Sequence, residues 1–549
     1  MRRPALGELA GLAFDLVVIG GGITGVATAR DAALRGMSVL LVEKDDFASG
    51  TSSRSSKLVH GGLRYLETYQ FKMVAESLRE RERMLLMAPH LTEVRPFFYM
   101  LYEGYPETRF LLNLGLTFYD VASGEWRKRR HSMLSAGEVR QREPHLRAEG
   151  LIGAGQYYDV LTDDARLTID TAKGAAEAGA RLLNHAEVVG LLLDGGRARG
   201  VRIADRLTGD VVEVHARQVL NATGPWTEHT RALEEGGGAA RRMRPTKGVH
   251  IVLRKRDFPL NTAVFLRSPD DNRVVWPIPS LEDDLVYIGT TDTDYTGDPD
   301  DVHPEPADLR YLLNVANHTI PDARLDESHI VGSWAGLRPL VAPAPGTSTS
   351  NTSREHVIAT GPSGMLTISG GKLTGSRLMA RQFVDAAERQ LERPHARSTA
   401  VRTPISGGQV GTFGQIRTRA ASAGVPDAVV DSWLRRYGAN AEKVLEVWLE
   451  SPDAAEVIGP RHLTRAEVRY CVAEEECLTL TDLMVRRTSL FFWDPAGGLT
   501  PENAMVAELA TLLGWSIEES ERQLAQYRRL VALHRPTTGQ PADERAPQA

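Results

Sequence analysis

Cysteine is scarce in this chain, since Cys471 and Cys477 are the only two among 549 residues. Their number and spacing fit neither a disulfide framework nor a zinc site, so we expect inert thiols on helices in a reducing compartment. No run of about eighteen apolar residues occurs without charge, and the N-terminal residues lack a signal-peptide pattern. The sequence therefore predicts a cytoplasmic protein without a membrane-spanning helix, which leaves contact with a membrane surface open.

The chain also lacks a strong charge of either sign. Its formal net charge is −6, from 65 Lys and Arg against 71 Asp and Glu, and no long basic block occurs. This balance argues against nucleic acid as a partner. Apolar residues make up 42% and charged residues 25%, as in ordinary soluble proteins. The length predicts about two to four domains with a sizeable core.

A glycine-rich turn near the start is the most informative feature that is present. An apolar run suited to a buried strand ends at Ile19, and Gly20, Gly22 and Gly25 follow with the G-x-G-x-x-G spacing. In this pattern the first glycine makes a tight turn, the second lets backbone N–H groups approach a pyrophosphate, and the third lets helix and sheet pack closely. Glu43 ends the next strand, where an acid accepts hydrogen bonds from ribose hydroxyls. The unit predicts an adenosine-containing dinucleotide.

A Ser-rich segment, residues 48–65, follows this unit. Its small hydroxyls, three glycines and three cations are able to wrap a flat polyanionic ligand. The alternative is a solvated loop, but the position directly after Glu43 favours the ligand. Further glycine turns at Gly224 and at 370–371 end predicted strands, as expected where a ligand crosses the carboxyl edge of an open α/β sheet. Taken alone, each would be an ordinary turn that connects a strand to a helix.

Two polar residues interrupt apolar strands in the second half of the chain. His250 stands within the run 248–252, and Arg338 lies between Leu337 and Pro339. A histidine in a strand is more often structural than catalytic, but this strand belongs to the predicted substrate domain. An arginine at the end of an apolar strand needs an anionic partner if it is buried.

The run 292–297 imitates the start of a calcium-binding EF-hand loop. Thr296 weakens the fifth position of that motif, and His303 replaces the bidentate Glu of the twelfth. The sequence therefore predicts an ordinary loop there and no metal site.

Taken in order, eight motifs closely resemble those of the FAD-dependent glycerol-3-phosphate dehydrogenases: IGGGITG, TSSRSSKLVHGGLRYLE, DDARL, NATGPW, KGVHIV, IGTTDTDYTGDP, GLRPL and GGKLT. The similarity spans residues 14–390, and LMVRRT at 483–488 is similar to a motif of that family's cap region. The resemblance implies an α/β fold with a Rossmann-like FAD domain of the glutathione-reductase and D-amino-acid-oxidase type. It also implies an inserted mixed or antiparallel sheet that binds substrate and an all-helical C-terminal domain.

The resemblance further implies the reaction. This is the oxidation of sn-glycerol 3-phosphate to dihydroxyacetone phosphate, with hydride passing from C2 to flavin N5 and electrons then to quinone. Relatives that use O2 form an oxidase branch, which is one alternative. A flavin enzyme acting on an amino acid or a 2-hydroxy acid is another, and a non-catalytic flavin-binding module is a third.

By motif position, the resemblance implies two sets of site residues. Those expected to contact FAD are Gly20, Gly22, Gly25, Glu43, Thr51, Ser52, Ser56, Lys57, Gly224 and Thr374. Those expected around the substrate are Arg64, Tyr65, His250, Arg338, Arg354 and Lys372. The hypothesis makes His250 the general base, since a neutral imidazole is available near pH 7. Arg338 or Lys372 would then favour the developing alkoxide. The phosphate dianion would be held by Arg64, Tyr65 and Arg354.

The predicted domain order is discontinuous. The FAD domain takes 12–95, 150–235 and 355–395, an aromatic and basic insertion takes 96–149, the substrate domain 240–354, the C-terminal helical domain 405–533 and a disordered tail 536–549. The aromatic stretch 96–120 and the basic cluster Arg127–His131 suggest docking on a membrane that carries the quinone. The alternative is an internal hairpin or helix pair packed on the flavin domain. A homodimer is left open.

Overall fold

A computed structural model of the chain describes residues 1–67, 69–124, 129–234, 243–281, 284–342 and 356–535. The strands in these ranges are β1 (Ala13–Ile19), β2 (Val39–Val42), β3 (Leu58–Val59), β4 (Thr92–Tyr102), β5 (Ser132–Ser135), β6 (Leu151–Thr162), β7 (Arg181–Leu183), β8 (Ala186–Asp194), β9 (Arg197–Asp205), β10 (Val211–Asn221), β11 (Thr246–Arg254), β12 (Ala263–Arg267), β13 (Val274–Pro279), β14 (Leu285–Gly289), β15 (Thr293–Asp294), β16 (Ile330–Arg338), β17 (Val357–Thr360), β18 (Leu366–Ser369), β19 (Val457–Gly459) and β20 (Leu463–Thr464).

The helices in the same ranges are α1 (Ile23–Leu34), α2 (Phe71–Met87), α3 (Arg109–Ser123), α4 (Ala136–Arg142), α5 (Asp164–Glu177), α6 (Thr227–Arg231), α7 (Pro306–Thr319), α8 (Ser376–Gln390), α9 (Phe413–Ser422), α10 (Asp427–Tyr437), α11 (Ala441–Glu450), α12 (Arg465–Glu475), α13 (Leu490–Trp493), α14 (Glu502–Leu513) and α15 (Ile517–Leu533). A π-helical turn occupies Asp482–Arg487. None of the described helices is both long enough and apolar enough to cross a membrane.

The first sheet is the nucleotide-binding unit, with strand order β17-β18-β10-β1-β2-β7 and β9 and β8 continuing from β10. β1 runs parallel to both β2 and β10. Its alternate residues face different cores: Leu16 and Val18 pack under the helices, while Val17 and Ile19 pack under the β8–β10 meander. Burial on both faces explains why β1 is a continuous apolar run. The predicted α/β fold class, with its Rossmann-like unit, is confirmed.

The second sheet has the order β15-β11-β14-β13-β12-β4-β6-β3, with β16 paired to β11 and β5 paired to β6. β4 and β6 therefore join the substrate sheet, whereas the sequence suggested a separate insertion and a return to the FAD domain. The physical reason is burial. Along β4, Phe97 and Tyr99 face one core while Phe98 and Met100 face the other. The aromatic richness near residue 100 thus belongs to a strand covered on both sides.

Helices α9–α15 form the C-terminal part, interrupted by the antiparallel pair β19 and β20. The sequence pattern suggested helices alone. Its core is continuous with that behind the second sheet, because Trp334 of β16 packs against Phe492 and Trp493 of α13. Of the two thiols, Cys471 lies in α12 and Cys477 just after it, and both are buried.

Buried ion pairs fasten this C-terminal part to the nucleotide sheet. Asp46, in the loop after β2, accepts hydrogen bonds from Arg486 at 2.5 Å and from Arg487 at 2.6 Å. Asp46 and Arg487 are both fully buried. Breaking such a pair leaves a buried charge uncompensated and costs about 3–5 kcal/mol. The loop that follows β2 is therefore tied to the C-terminal part through Asp46.

Candidate active site

Two connected cavities lie where the carboxyl ends of β1, β2, β10 and β18 meet the second sheet. The larger has a volume of about 1210 Å³ and the smaller about 600 Å³. Thr51, Ser52 and Lys372 line both. The carboxyl edge of such a sheet is where ligands bind in open α/β folds. Because the cavities share these residues they adjoin each other, and residues of both sheets line them.

The glycine turn opens the smaller cavity. Gly20 has a φ of +109°, and a Cβ there would lie 2.7 Å from the carbonyl oxygen of Ala222. A Cβ at Gly25 would lie 1.8 Å from the carbonyl oxygen of Gly20. These two positions therefore require glycine for packing. Gly22 is different: it caps α1, lines the cavity, and its Cβ would meet only Ser52 Oγ, at 3.2 Å. Gly22 thus leaves the positive end of α1 accessible to an anion.

Glu43 lies directly after β2 and lines the smaller cavity. Its Oε2 accepts the N–H of Gly21 at 2.6 Å, and its Oε1 accepts the N–H of Asp45 at 2.9 Å. Burial, helped by the neighbouring Asp45 carboxylate, raises the pKa of Glu43 to about 7. The carboxyl is thereby fixed at the end of its strand, in the position expected for a ribose-binding acid.

The Ser-rich segment runs along both cavities. Ser52 Oγ accepts the N–H of Ile23 at 2.9 Å, and Thr51 Oγ1 donates to the carbonyl of Leu337 at 2.7 Å. Ser56 Oγ lies 2.9 Å from His250 Nε2. The segment thus ties the first turn of α1 to the second sheet. Helix N-terminus, acid and joined cavities fit FAD, the cofactor that the sequence predicts.

The Lys57 side chain does not point at this space. Its Nζ forms an ion pair with Asp164 Oδ1 at 2.6 Å, and the side chain is 3% exposed. Among the described residues that line the cavities, Lys57 is absent. The implied contact between its ammonium and FAD is therefore corrected: the buried carboxylate of Asp164 holds the charge on the far side of the segment.

The two later glycine turns also reach the cavities. Gly224 lines the smaller cavity with a φ of +55°, which favours glycine. Thr374 lines the larger one, and its Oγ1 accepts the N–H of His60 at 3.1 Å. Both turns therefore line the cavities, which is where the sequence predicts their contacts with FAD.

His250 lies on β11 at the wall of the larger cavity and is 3% exposed. Its ring stacks on Trp334, with centroids 4.7 Å apart and an interplanar angle of 11°. Its Nδ1 is buried and makes no hydrogen bond within the described ranges. Burial, followed by the charges of Arg338 and Lys57, lowers the pKa of His250 well below its usual value. The imidazole is therefore neutral near pH 7.

The predicted substrate cations line the same cavity. Arg338 donates to Asp292 at 2.5 Å and to Thr290 Oγ1 at 3.3 Å. The Lys372 ammonium lies 3.7 Å from the ring centroid of Tyr65. Arg64 also faces the larger cavity and is exposed. The structure thus brings together five of the six implied substrate residues, while Arg354 lies outside the described residues.

Three residues with a clear place in this site were not singled out from the sequence. They are Trp334, which supports the His250 ring, Asp292, which holds Arg338, and Asp164, which holds Lys57. Each stands in or beside a quoted motif, but only the fold shows which side chain it contacts.

Family models match most of the chain. Residues 15–377 match the FAD dependent oxidoreductase family, and residues 398–520 match the C-terminal domain of alpha-glycerophosphate oxidase. The first match ends at the start of α8, and the second begins after that helix.

Curated relatives are similar over nearly their whole length. The chain is 38% identical to the aerobic glycerol-3-phosphate dehydrogenase of Staphylococcus haemolyticus over 515 residues, covering 92% of this chain and 91% of that one. It is also 38% identical to that of Bacillus subtilis over 530 residues, covering 94% of both.

Solved structures agree. The glycerol-3-phosphate dehydrogenase from Bacillus halodurans, solved with FAD, superposes with a TM-score of 0.82 at 32% identity and 98% coverage of each chain. Glycine oxidase from Geobacillus kaustophilus covers 71% of this chain and 98% of its own, at 23% identity and a TM-score of 0.53, and shares the fold alone. The chain therefore belongs to the FAD-dependent aerobic glycerol-3-phosphate dehydrogenase family.

Proposed function

We propose that this protein oxidises sn-glycerol 3-phosphate to dihydroxyacetone phosphate with FAD, and that a membrane quinone receives the electrons. One observation carries the assignment: a buried, neutral His250 with an unpaired ring nitrogen lies on the wall of a cavity that cations surround. The relatives named above are glycerol-3-phosphate dehydrogenases, which supports the same substrate.

FAD would be held by the turn at Gly22 and the start of α1, by Glu43, by Thr51 and Ser52, and by the later turns at Gly224 and Thr374. When bound, its isoalloxazine supplies the hydride acceptor that no side chain offers. The chain's own part is to place the substrate, remove a proton and exclude water.

Removal of the hydroxyl proton falls to His250. If Nε2–H donates to Ser56 Oγ, Nδ1 carries the lone pair that accepts the proton; the tautomer is an assignment from this hydrogen bond. Because its pKa is low, His250 is a neutral imidazole at neutral pH. Its Nδ1 therefore carries no proton that must first be lost. Arg338, fixed by Asp292, favours the developing alkoxide.

The phosphate dianion would lie among the remaining cations. Arg64 and Lys372 line the cavity beside Tyr65, and the sequence adds Arg354 to this group. Guanidinium groups bind phosphate with two parallel hydrogen bonds, which fixes orientation as well as charge.

Arg354→Ala is expected to raise KM for glycerol 3-phosphate by about 10- to 150-fold with little change in kcat. A lost charge-assisted hydrogen bond is worth about 1.5–3 kcal/mol, and phosphate binding is similar in the ground and transition states. Steady-state kinetics with a dye acceptor measures both constants. Arg397→Ala is the control, because Arg397 is exposed and remote in sequence from the motifs. A normal KM in Arg354→Ala would remove this residue from the phosphate site.

A flavin enzyme for amino acids or 2-hydroxy acids is the alternative from the same fold. It would also need arginines, but for a carboxylate in place of a phosphate. Steady-state turnover of the holoenzyme with glycerol 3-phosphate, glycine and lactate separates the two. We expect turnover with glycerol 3-phosphate alone, and a higher kcat/KM for either carboxylate would overturn the assignment.

An exposed apolar surface beside the larger cavity supports a lipid-borne acceptor. Phe110 is 78% exposed and Leu114 58%, both on α3, and Tyr69 just before α2 is 80% exposed. The start of α2 and helix α3 are in contact here, since the ring of Phe71 meets the ring of Phe118 edge-on at 5.2 Å. The adjoining start of α2 contributes to the larger cavity's lining. A quinone in a membrane can reach the cavity only if this kind of surface docks on lipid.

The basic cluster predicted beside this surface is only partly described. Arg130 is exposed, whereas His131 is buried and bonded to Asp120 at 2.7 Å and to Asn113 at 3.0 Å. His131 is therefore corrected to a structural residue. Arg129 is half-buried, and the two remaining members, Arg127 and Lys128, lie outside the described residues.

Phe110→Ser/Leu114→Ser is expected to abolish co-sedimentation of the protein with anionic vesicles. The changed side chains are exposed and make the apolar contact, so folding should be unaffected. Salt, or replacement of residues 127–130 with Ser, should weaken binding by about 1 kcal/mol per charge. Leu512→Ser/Ile517→Ser alters an exposed apolar pair in the C-terminal part and serves as the control.

The wild-type result decides between the acceptors. Binding to vesicles at low salt, with slow peroxide formation, supports quinone. No binding together with rapid hydrogen peroxide formation from glycerol 3-phosphate would identify an oxidase that uses O2.

A further inference from the structure

A buried charge lies behind the His250 ring, on the side away from the cavity. The Lys57 ammonium donates to Asp164 Oδ1 at 2.6 Å, and both side chains are buried, Lys57 at 3% exposure and Asp164 fully. Three aromatic rings surround the ammonium, with centroids at 4.2 Å for Phe492, 5.5 Å for Trp334 and 5.8 Å for Trp493. We call these five residues the lysine box. Desolvated cation–π contacts of this kind hold a charge firmly in place.

The lysine box is connected to His250 by two routes. Trp334 belongs to the box and stacks on the imidazole at 4.7 Å. The second route is the backbone: Ser55 donates its hydroxyl and its N–H to Asp164 at 2.7 and 3.0 Å, and the next residue, Ser56, meets His250 Nε2. Asp164 therefore fixes both the lysine and the segment that orients the imidazole.

Two walls of the box come from the C-terminal part of the chain. Phe492 and Trp493 are on α13, which packs on β16 beside Trp334. Through this contact the C-terminal domain contributes residues next to a site whose other residues lie among the first 380.

We propose that Lys57 and Asp164, enclosed by Phe492 and Trp493, are positioning residues that hold the His250 imidazole and set the electrostatic environment of its ring. The inference rests on the proposed function in so far as His250 is taken as the base. Neither residue touches the cavity, so both act through Trp334 and Ser56.

The charges that face the ring predict the sign of the effect. Arg338 of β16, itself paired with Asp292, and Lys57 are the two cations that lower the pKa of His250, after burial itself. Tyr287 of β14 also faces the ring, at 6.3 Å, and is neutral because burial and Asp164 raise its pKa. Lys57, but not its partner Asp164, is among the charges that shift this pKa, so neutralising the pair removes one of the two cations and the pKa of His250 should rise.

The test is the double variant Lys57→Met/Asp164→Asn, which replaces the pair with neutral groups and avoids the uncompensated buried charge that either single change would leave. Flavin reduction by glycerol 3-phosphate requires neutral His250, so the rate falls at low pH as the imidazole becomes protonated. A raised pKa moves this loss of rate to higher pH. We expect the acid limb to move up by about half a unit or more. Lys57→Arg keeps the charge and should follow the wild type, as should Lys443→Met on the surface.

A second readout does not depend on turnover. The NMR chemical shift of the His250 ring, followed across pH in histidine-labelled protein and assigned by comparison with His250→Ala, reports the neutral fraction of the imidazole directly. The same upward shift is expected in the double variant at normal FAD content. An unshifted titration, with or without lower stability, would reduce the pair to a structural role and overturn the inference. Failure of the wild type to react with glycerol 3-phosphate would instead overturn the proposed function, and the NMR result would still stand.

Discussion

His250→Ala is expected to lower the rate of flavin reduction by glycerol 3-phosphate by about 10²–10⁴-fold, the usual contribution of a general base. The imidazole is neutral and buried in the cavity wall, and one of its ring nitrogens has no hydrogen bond. None of the other described β11 residues that line the cavity offers a neutral base. Rapid mixing of the holoenzyme with substrate under anaerobic conditions measures the rate.

FAD should remain bound in this variant, because the predicted cofactor contacts at Gly22, Glu43 and Gly224 lie on the first sheet and do not involve the His250 side chain. His145→Ala is the matched control, since His145 is exposed and distant from the cavities in sequence. A reduction rate in His250→Ala equal to that of the wild type would place the base elsewhere.

Gly22→Val should yield a folded protein without the yellow colour of bound flavin. Among the glycines of the turn, Gly22 alone would tolerate a Cβ, because only Ser52 Oγ lies near it, at 3.2 Å. The valine side chain would occupy the space in front of α1, where the backbone N–H groups meet a pyrophosphate. Absorbance of the purified protein gives the FAD content, and circular dichroism checks the fold.

Gly7→Val is the control for this experiment, because Gly7 is exposed and a Cβ there would meet nothing within 4 Å. It should keep full flavin content. Gly25→Ala, by contrast, should lose the fold as well as the flavin, since its Cβ would lie 1.8 Å from a carbonyl oxygen. Full FAD occupancy in Gly22→Val would defeat the nucleotide assignment.

The nucleotide unit could be predicted because its signals are local. A strand buried on both faces reads as an apolar run, the glycine spacing is set by sterics within a few residues, and the acid follows on the next strand. Helix α2, Phe71–Met87, is equally local in origin, because its sequence is amphipathic with a helical period and Pro89 follows its end. Such features need no knowledge of distant residues.

Non-local pairing was the part that sequence could not supply. β4 joins the substrate sheet through parallel pairing with β12, some 160 residues later, and nothing in its own pattern selects that partner. The direction of the Lys57 side chain was missed for the same reason. Its motif suggested a ligand, but Asp164, more than 100 residues away, binds it. The environment of Arg338 was easier to predict, because an arginine between apolar residues at a strand end requires an anionic partner if it is buried. Asp292 is that partner.

Anaerobic addition of glycerol 3-phosphate to the purified holoenzyme tests the central claim most directly. The account predicts that the yellow colour is lost and that one dihydroxyacetone phosphate forms for each FAD reduced. Retention of the colour with glycerol 3-phosphate, while glycine or lactate bleaches the same sample, would contradict it.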